Sequence, residues 1–173
     1  FEFFFGFKDF FSKRRSFAFS DYLPILEELQ RLHQQGIRIK YFEGNHDFFL
    51  HSLFLDQFHM EVEVYPDGNE EKLGRKRAFI AHGDLSNPRQ WKYRLFRSAL
   101  KNSWTYHLIH FAGPRISRHI AKKLSDMSYQ KYHGRGSLDP PPSFKIFAHQ
   151  KFLEGFEIVI LGHSHCPEII EEW

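Results

Sequence analysis

Three times in this chain of 173 residues, an apolar run of strand length stops at a glycine set beside an imidazole or an amide. "IKYFE" runs into Gly44-Asn45-His46-Asp47, "RAFIA" into His82-Gly83-Asp84, and "IVIL" into Gly162-His163-Ser164-His165. In layered α/β domains the loops at strand ends converge, and ligands collect there. The pattern predicts one cleft shared by Asn45, His46, His82, His163 and His165.

The segments between these runs read as helices and further strands. Residues 20–36 have an amphipathic period through Leu23, Leu26, Leu29 and Leu32, with Ser20 or Asp21 as cap and Gly36 as terminator. "DFFLHSLFLDQF" predicts a short helix, and "MEVEVYP" and "GRKRAFIAHGD" two strands joined by a turn at 67–74. Residues 89–125 carry a helical period through Trp91, Leu95, Leu100, Trp104, Leu108, Ile116 and Ile120, broken near Gly113-Pro114. A loop is expected at 132–143, a helix at 144–154, and in "FEIVILGHSH" a strand in the middle of a covered sheet. Helices alternating with strands imply a layered α/β domain, with the long helical stretch inserted between two strands as a lid.

Composition narrows the class. A chain of this length holds one domain with a sizeable core. Nine of its 21 phenylalanines fall in the first 19 residues, yet Glu2, Lys8 and Asp9 interrupt that opening, so it reads as neither signal peptide nor membrane span. The lone Cys166 excludes an internal disulfide and reads as a small space-filling residue. The net charge of +3 hides an asymmetry: residues 88–151 hold 13 Lys and Arg against Asp126 and Asp139, or +11, leaving −8 elsewhere. Such a stretch suits a polyanionic partner: a phosphate, a nucleic acid or an anionic membrane. A solvated basic helix face explains it equally well.

Imidazoles and an amide oxygen together suit borderline divalent ions such as Mn²⁺, Fe²⁺, Co²⁺ or Zn²⁺. Asp47 and Asp84, just after the ligand candidates, are natural acceptors for ring N–H groups or bound water. In His163-Ser164-His165 an extended backbone sends both rings to one side, whereas a turn splays them toward two neighbouring ions. Taken singly, each residue has a plainer reading: Asn45 as a turn residue, Asp47 as an N-cap, a histidine as structural. The three motifs in this order, each at a strand end, carry the argument.

The ordered set G-N-H-D, H-G-D and G-H-x-H resembles the calcineurin-like metallophosphoesterase superfamily. Within it, "YFEGNHDFFL", "AHGDLSN", the basic helical insertion and "ILGHSHCP" most resemble the UDP-2,3-diacylglucosamine diphosphatases of lipid A biosynthesis. The resemblance implies a metallophosphoesterase-type β-sandwich flanked by helices, its core in residues 1–87 and 155–173 and its helical cap in 88–154. It implies two divalent metal ions, Mn²⁺ first among them, with Asn45, His82 and His163 on one and His165 on the other. His46 then meets the phosphate as the catalytic residue. The implied reaction is hydrolysis of UDP-2,3-diacylglucosamine to UMP and 2,3-diacylglucosamine 1-phosphate. The alternative is a soluble metallophosphoesterase acting on nucleotides or other diesters.

This chain departs from the family pattern in three ways. The family's D-x-H and the G-D before "FE" are missing, the lipid A enzymes often carry Arg where His46 stands, and the closing strands are absent. The expectation is therefore a core truncated at both ends, poor in metal binding as it stands. The insertion sets Arg94, Arg97, Lys101, Arg115, Arg118, Lys122 and Lys123 among aromatic and aliphatic residues. That mixture fits a lid over a pyrophosphate and acyl chains, resting peripherally on the cytoplasmic leaflet of a bacterial inner membrane. Two helices packed on the domain with Arg and Lys outward would give the same period. A nucleic-acid-binding module is the reading from another class, though no nucleic acid or protein partner is expected.

Overall fold

The computed structural model describes residues 4–5, 22–132 and 141–171. In chain order the elements are β1 (Phe4–Phe5), α1 (Leu23–Gln34), β2 (Ile39–Phe42), β3 (Asp47–Phe48) and α2 (Leu50–Ser52), which continues into a π-helical turn (Leu53–Gln57). Then come β4 (Val62–Tyr65), β5 (Asn69–Leu73), β6 (Lys76–Ala81), α3 (Trp91–Leu100), α4 (Ser103–Tyr132), α5 (Pro142–Leu153) and β7 (Ile158–Leu161). The fold is mixed α/β: small sheets flanked by helices. β1 pairs in parallel with β3 and β2 with β4, while the third sheet has the order β5-β6-β7.

Alternation along β2 and β4 explains where the core sits. Their register sets Ile39 against Val62 and Tyr41 against Val64, so one apolar face is built from both strands. That face packs with Leu26 and Leu29 of α1 and with Phe48, Leu50, Leu53, Phe54, Phe58 and Met60. Burying each such side chain is worth about 1.5–3 kcal/mol. The opposite face is mixed: Phe42 stacks on Tyr65, and Lys40 reaches Glu71 of β5 at 2.5 Å and ties the two sheets. On the third sheet, Phe79 of β6 meets Phe147 of α5 and Phe156, with Lys151 Nζ 4.3 Å above its ring.

α4 breaks where the sequence predicts. Gly113 adopts φ 78°, ψ 172°, a conformation open to glycine, and Pro114 starts the second half. Ser117 closes the break by donating its hydroxyl to the carbonyls of Gly113 (2.8 Å) and Ile109 (3.2 Å). Ile109 before the break and Ala121 after it both reach the core.

Several expectations need correction. The turn expected at 67–74 is largely strand β5, antiparallel to β6. Its charged sequence hides it from an apolar-periodicity reading, and ion pairing such as Arg77 Nε to Glu70 Oε1 (2.9 Å) supports it instead. Among the described residues β7 lies at the sheet edge rather than the middle, and its Ile160 is 45% exposed. The apolar period over 91–120 faces outward: Trp91, Leu95, Trp104, Leu108, Ile116 and Ile120 are all exposed, and Leu100 alone of that series packs against the core. The Ser20 and Asp21 caps, residues 133–140 of the expected loop and most of the Phe-rich opening lie outside the described residues.

Candidate metal centre

β2, β6 and β7 run parallel to a partner in their sheets, and each ends at one of the three motifs. Asn45 stands three residues beyond β2, His82 directly follows β6, and His163 stands two beyond β7. The loops meet. His82 Nε2 lies 3.0 Å from Asn45 Oδ1 and 3.2 Å from His163 Nδ1, with the two rings nearly edge to face.

Only glycine permits this approach at position 44. A Cβ built there would fall 2.7–2.9 Å from three atoms of the His82 ring, closer than real Cβ atoms come. Asp47 holds the loop by accepting the Gly44 N–H at 3.1 Å. Across the site the Ser164 N–H donates to the Gly162 carbonyl (2.8 Å), so His163 sits at the apex of a three-residue turn with φ 67°. His165 is also left-handed, at φ 56°. These two histidines, on either side of Ser164, hold about 1–3 kcal/mol of backbone strain each, a feature that clusters at functional sites. The turn, rather than an extended strand, governs this motif.

The polar atoms at the centre share one another as hydrogen-bond partners, and a single His82 Nε2 proton serves either neighbour. His82 Nε2 carries either a proton or a lone pair. With a proton it can donate to Asn45 or His163; without one, its lone pair faces the Asn45 oxygen. Both histidines are held below the ordinary imidazole pKa. Burial is the main cause for each, reinforced for His163 by its neighbours His82 and His165 and opposed by Asp84, and His163 falls to about 4. Neutral imidazoles and an amide oxygen are the donor types that could hold a metal.

The His82 spacings to Asn45 and His163, 3.0 and 3.2 Å, are hydrogen-bond lengths and are equally compatible with shared coordination of a cation. Metal–nitrogen and metal–oxygen bonds of about 2.1 Å put neighbouring ligand atoms about 3.0–3.4 Å apart in octahedral or tetrahedral geometry. Among the described residues no group of three or more His, Cys, Asp or Glu is arranged to hold a metal. The cluster has two imidazoles, and its third donor is an amide.

The other predicted residues fall around this centre. His46 is close enough to depress the pKa of His82, and His165 is exposed two residues beyond His163. Asp84 is buried and engaged by the helical segment: Tyr93 donates its hydroxyl at 2.5 Å, and Arg97 Nε lies 2.8 Å away, an ion pair without a well-aligned hydrogen bond. Arg97 also donates to Asp67 Oδ1 (2.7 Å) and to the Pro66 carbonyl. It is therefore a buried tie rather than an open cation. Arg94 is exposed and donates to the Leu85 carbonyl at 2.6 Å. Arg115, Lys122 and Lys123 are exposed on α4, and Arg118 is half-buried there.

Sequence reasoning missed Glu43 and misread Lys101. Glu43 is buried, accepts the Leu50 N–H at 3.2 Å, and pairs with Lys101 Nζ at 2.9 Å. A cavity of about 220 Å³ borders the centre, lined by His82, Asp84, Phe79, Phe147, Arg94 and Lys151. A larger one, about 490 Å³, lies between α1 and the starts of β2 and β4 and includes none of the predicted site residues.

No family model matches the chain. It is similar to UDP-2,3-diacylglucosamine hydrolase of Aliivibrio fischeri (strain MJ11), 25% identical over 146 residues, which are 83% of this chain and 59% of that protein. The enzyme of the same name from Photorhabdus laumondii is 25% identical over 149 residues, 85% of this chain and 60% of that one. The Ralstonia nicotianae protein is 26% identical over 160 residues, covering 83% and 56%. The chain thus spans at most 60% of the length of these three curated relatives. This is a distant similarity across most of the chain, consistent with the calcineurin-like metallophosphoesterase superfamily.

Proposed function

We propose that the protein is a metal-dependent phosphoesterase that hydrolyses a phosphoanhydride or phosphodiester, with UDP-2,3-diacylglucosamine as substrate and UMP and 2,3-diacylglucosamine 1-phosphate as products. The observation that carries this reading is that Asn45 Oδ1 and His163 Nδ1, from two other strand ends, lie 3.0 and 3.2 Å from His82 Nε2. Asn45, His82 and His163 would hold one divalent ion and His165 would belong to a second, with Mn²⁺ the first to test. The ions, when bound, would lower the pKa of water and offset charge developing on phosphate.

The chain's own residues have separate tasks. His46, next to Asn45, donates to the phosphate or protonates the leaving oxygen. Burial keeps His82 and His163 neutral near pH 7, so their lone pairs remain available. The glycine at 44 lets the His82 ring lie against the loop.

In this reading residues 88–154 form a cap on a core of 1–87 and 155–173. The cap's outer surface supports a lipid-facing role: Trp104, Leu108 and Phe111 are 83%, 68% and 89% exposed at helical spacing, with Arg115, Arg118 and Lys122 just beyond. Exposed apolar residues rimmed by cations suit an anionic leaflet and the acyl chains of a membrane-borne substrate. No helix among the described residues is long and apolar enough to cross a membrane. A peripheral place on the cytoplasmic leaflet is part of the proposal.

A phosphodiesterase acting on nucleotides is the second reading. The small size of the cavity beside His82, about 220 Å³, favours it. Assaying the full-length protein on UDP-2,3-diacylglucosamine and on simple diesters, with and without Mn²⁺, separates the two. Metal-dependent release of UMP at a rate well above that of any simple diester is expected; equal rates favour the second reading, and no metal dependence defeats both.

A further inference from the structure

The inward side of α3 presents a polar stripe. Tyr93, Arg97 and Lys101 follow one another at intervals of four, so they lie along one helix face. All three reach into loops that carry the candidate ligands. Tyr93 and Arg97 hold Asp84, two residues after His82, and Lys101 holds Glu43, two residues before Asn45. Arg97 also holds Asp67 and the Pro66 carbonyl just beyond β4. Glu43 is fixed further by the Leu50 N–H and through its own N–H to the Tyr65 carbonyl (3.0 Å). The four side chains in the two central pairs are nearly enclosed: Arg97 8% and Asp84 3% exposed, Lys101 13% and Glu43 7%.

We infer that α3 is a clamp that sets the distance between the Asn45 and His82 loops, with Arg97 and Lys101 as positioning residues. Four residues separate the two cations, about 6 Å along the axis. The helix is therefore a ruler, gripping one loop at each mark. Little slack exists between those loops, since the His82 ring already occupies the space a Cβ at position 44 would need. If either grip is lost, the Asn45 oxygen and the His82 nitrogen can drift apart, and a site that needs both loses its geometry before it loses its ligands. Neither cation is hydrogen-bonded to the three donor atoms, so the geometric effect passes through Glu43 and Asp84 while the cations' field also reaches His82.

The inference rests on the metal site proposed above, and the test separates the two. In the full-length protein, Co²⁺ is titrated and its visible absorption recorded for the wild type, Lys101→Met, Lys101→Arg, the double variant Glu43→Gln/Lys101→Met, and His82→Ala. Circular dichroism and thermal melting establish which variants fold. The double variant leaves no unpaired charge, so it remains informative if Lys101→Met alone unfolds. We expect Co²⁺ affinity about 10–100-fold weaker, with an altered band shape, in Lys101→Met and in the double variant. Lys101→Arg should restore most of both. Folded Lys101→Met or double-variant protein with wild-type affinity and spectrum overturns the clamp while leaving the metal site standing. A wild type without a Co²⁺ spectrum that His82→Ala abolishes overturns the site itself.

Discussion

α1 and α3 are both amphipathic, yet they face opposite ways. α1 turns Leu26 and Leu29 to the core and leaves its Glu28–Arg31 pair (2.6 Å) in solvent. α3 turns Tyr93, Arg97 and, at its end, Lys101 inward, and leaves Trp91, Leu95 and Phe96 exposed. α4 extends that exposed apolar surface through Trp104, Leu108 and Phe111. A 3.6-residue period shows that a helix has two faces; what lies opposite decides which one is buried. α1 meets the apolar face of β2 and β4, whereas α3 meets carboxylates at strand ends.

The comparison is sharpest in stability. Arg97→Met should cost about 3–5 kcal/mol, because it leaves Asp84 buried without its cation. Leu26→Ala in α1 should cost about 2–5 kcal/mol through a cavity in the core. Urea denaturation of both variants checks this, and a neutral Arg97→Met would mean that α3 is not ion-locked.

A smaller effect follows from pH. His163 is pulled down to about 4 in the folded protein, chiefly by burial. Above the ordinary imidazole pKa of about 6.5 it is neutral both folded and unfolded, so it contributes no pH dependence there. Below that value the unfolded chain binds a proton that the folded chain refuses, so stability falls until the pH reaches about 4. His163→Asn should flatten the metal-free stability profile between those limits, as thermal melting across that range would reveal. An unchanged slope would place the pH dependence in other groups.

The smallest stability effect belongs to the outer face. Trp104→Ser with Phe111→Ser should change stability by no more than about 0.5 kcal/mol, since both side chains are already exposed. The same double substitution should lower turnover of an acylated substrate in micelles while sparing a small chromogenic diester. Equal loss on both substrates would count against a lipid-facing cap.

Much of the centre was legible in advance because it depends on local order. An apolar run, a glycine and a ligand-type side chain in sequence are enough to put Asn45, His82 and His163 at strand ends, and ends of parallel strands in one layered fold point into common loops. β5 was not legible, since its Asn-Glu-Glu-Lys-Leu pattern carries no apolar alternation and is held by cross-strand charge. The enclosure of Arg97 was not legible either: its counter-charges lie 13 and 30 residues away, at Asp84 and Asp67.

By itself the sequence determined which residues carry donor atoms and that strands would deliver them, since both follow from side-chain chemistry and near-neighbour pattern. Tertiary structure alone decided that His163 sits on a strained turn, that Glu43 and Asp84 are answered by one helix, and that α3 and α4 present their apolar sides outward. Those outcomes depend on which distant surfaces meet, and the free energy of burying a charge or an apolar group is set by its partner rather than by its position in the chain.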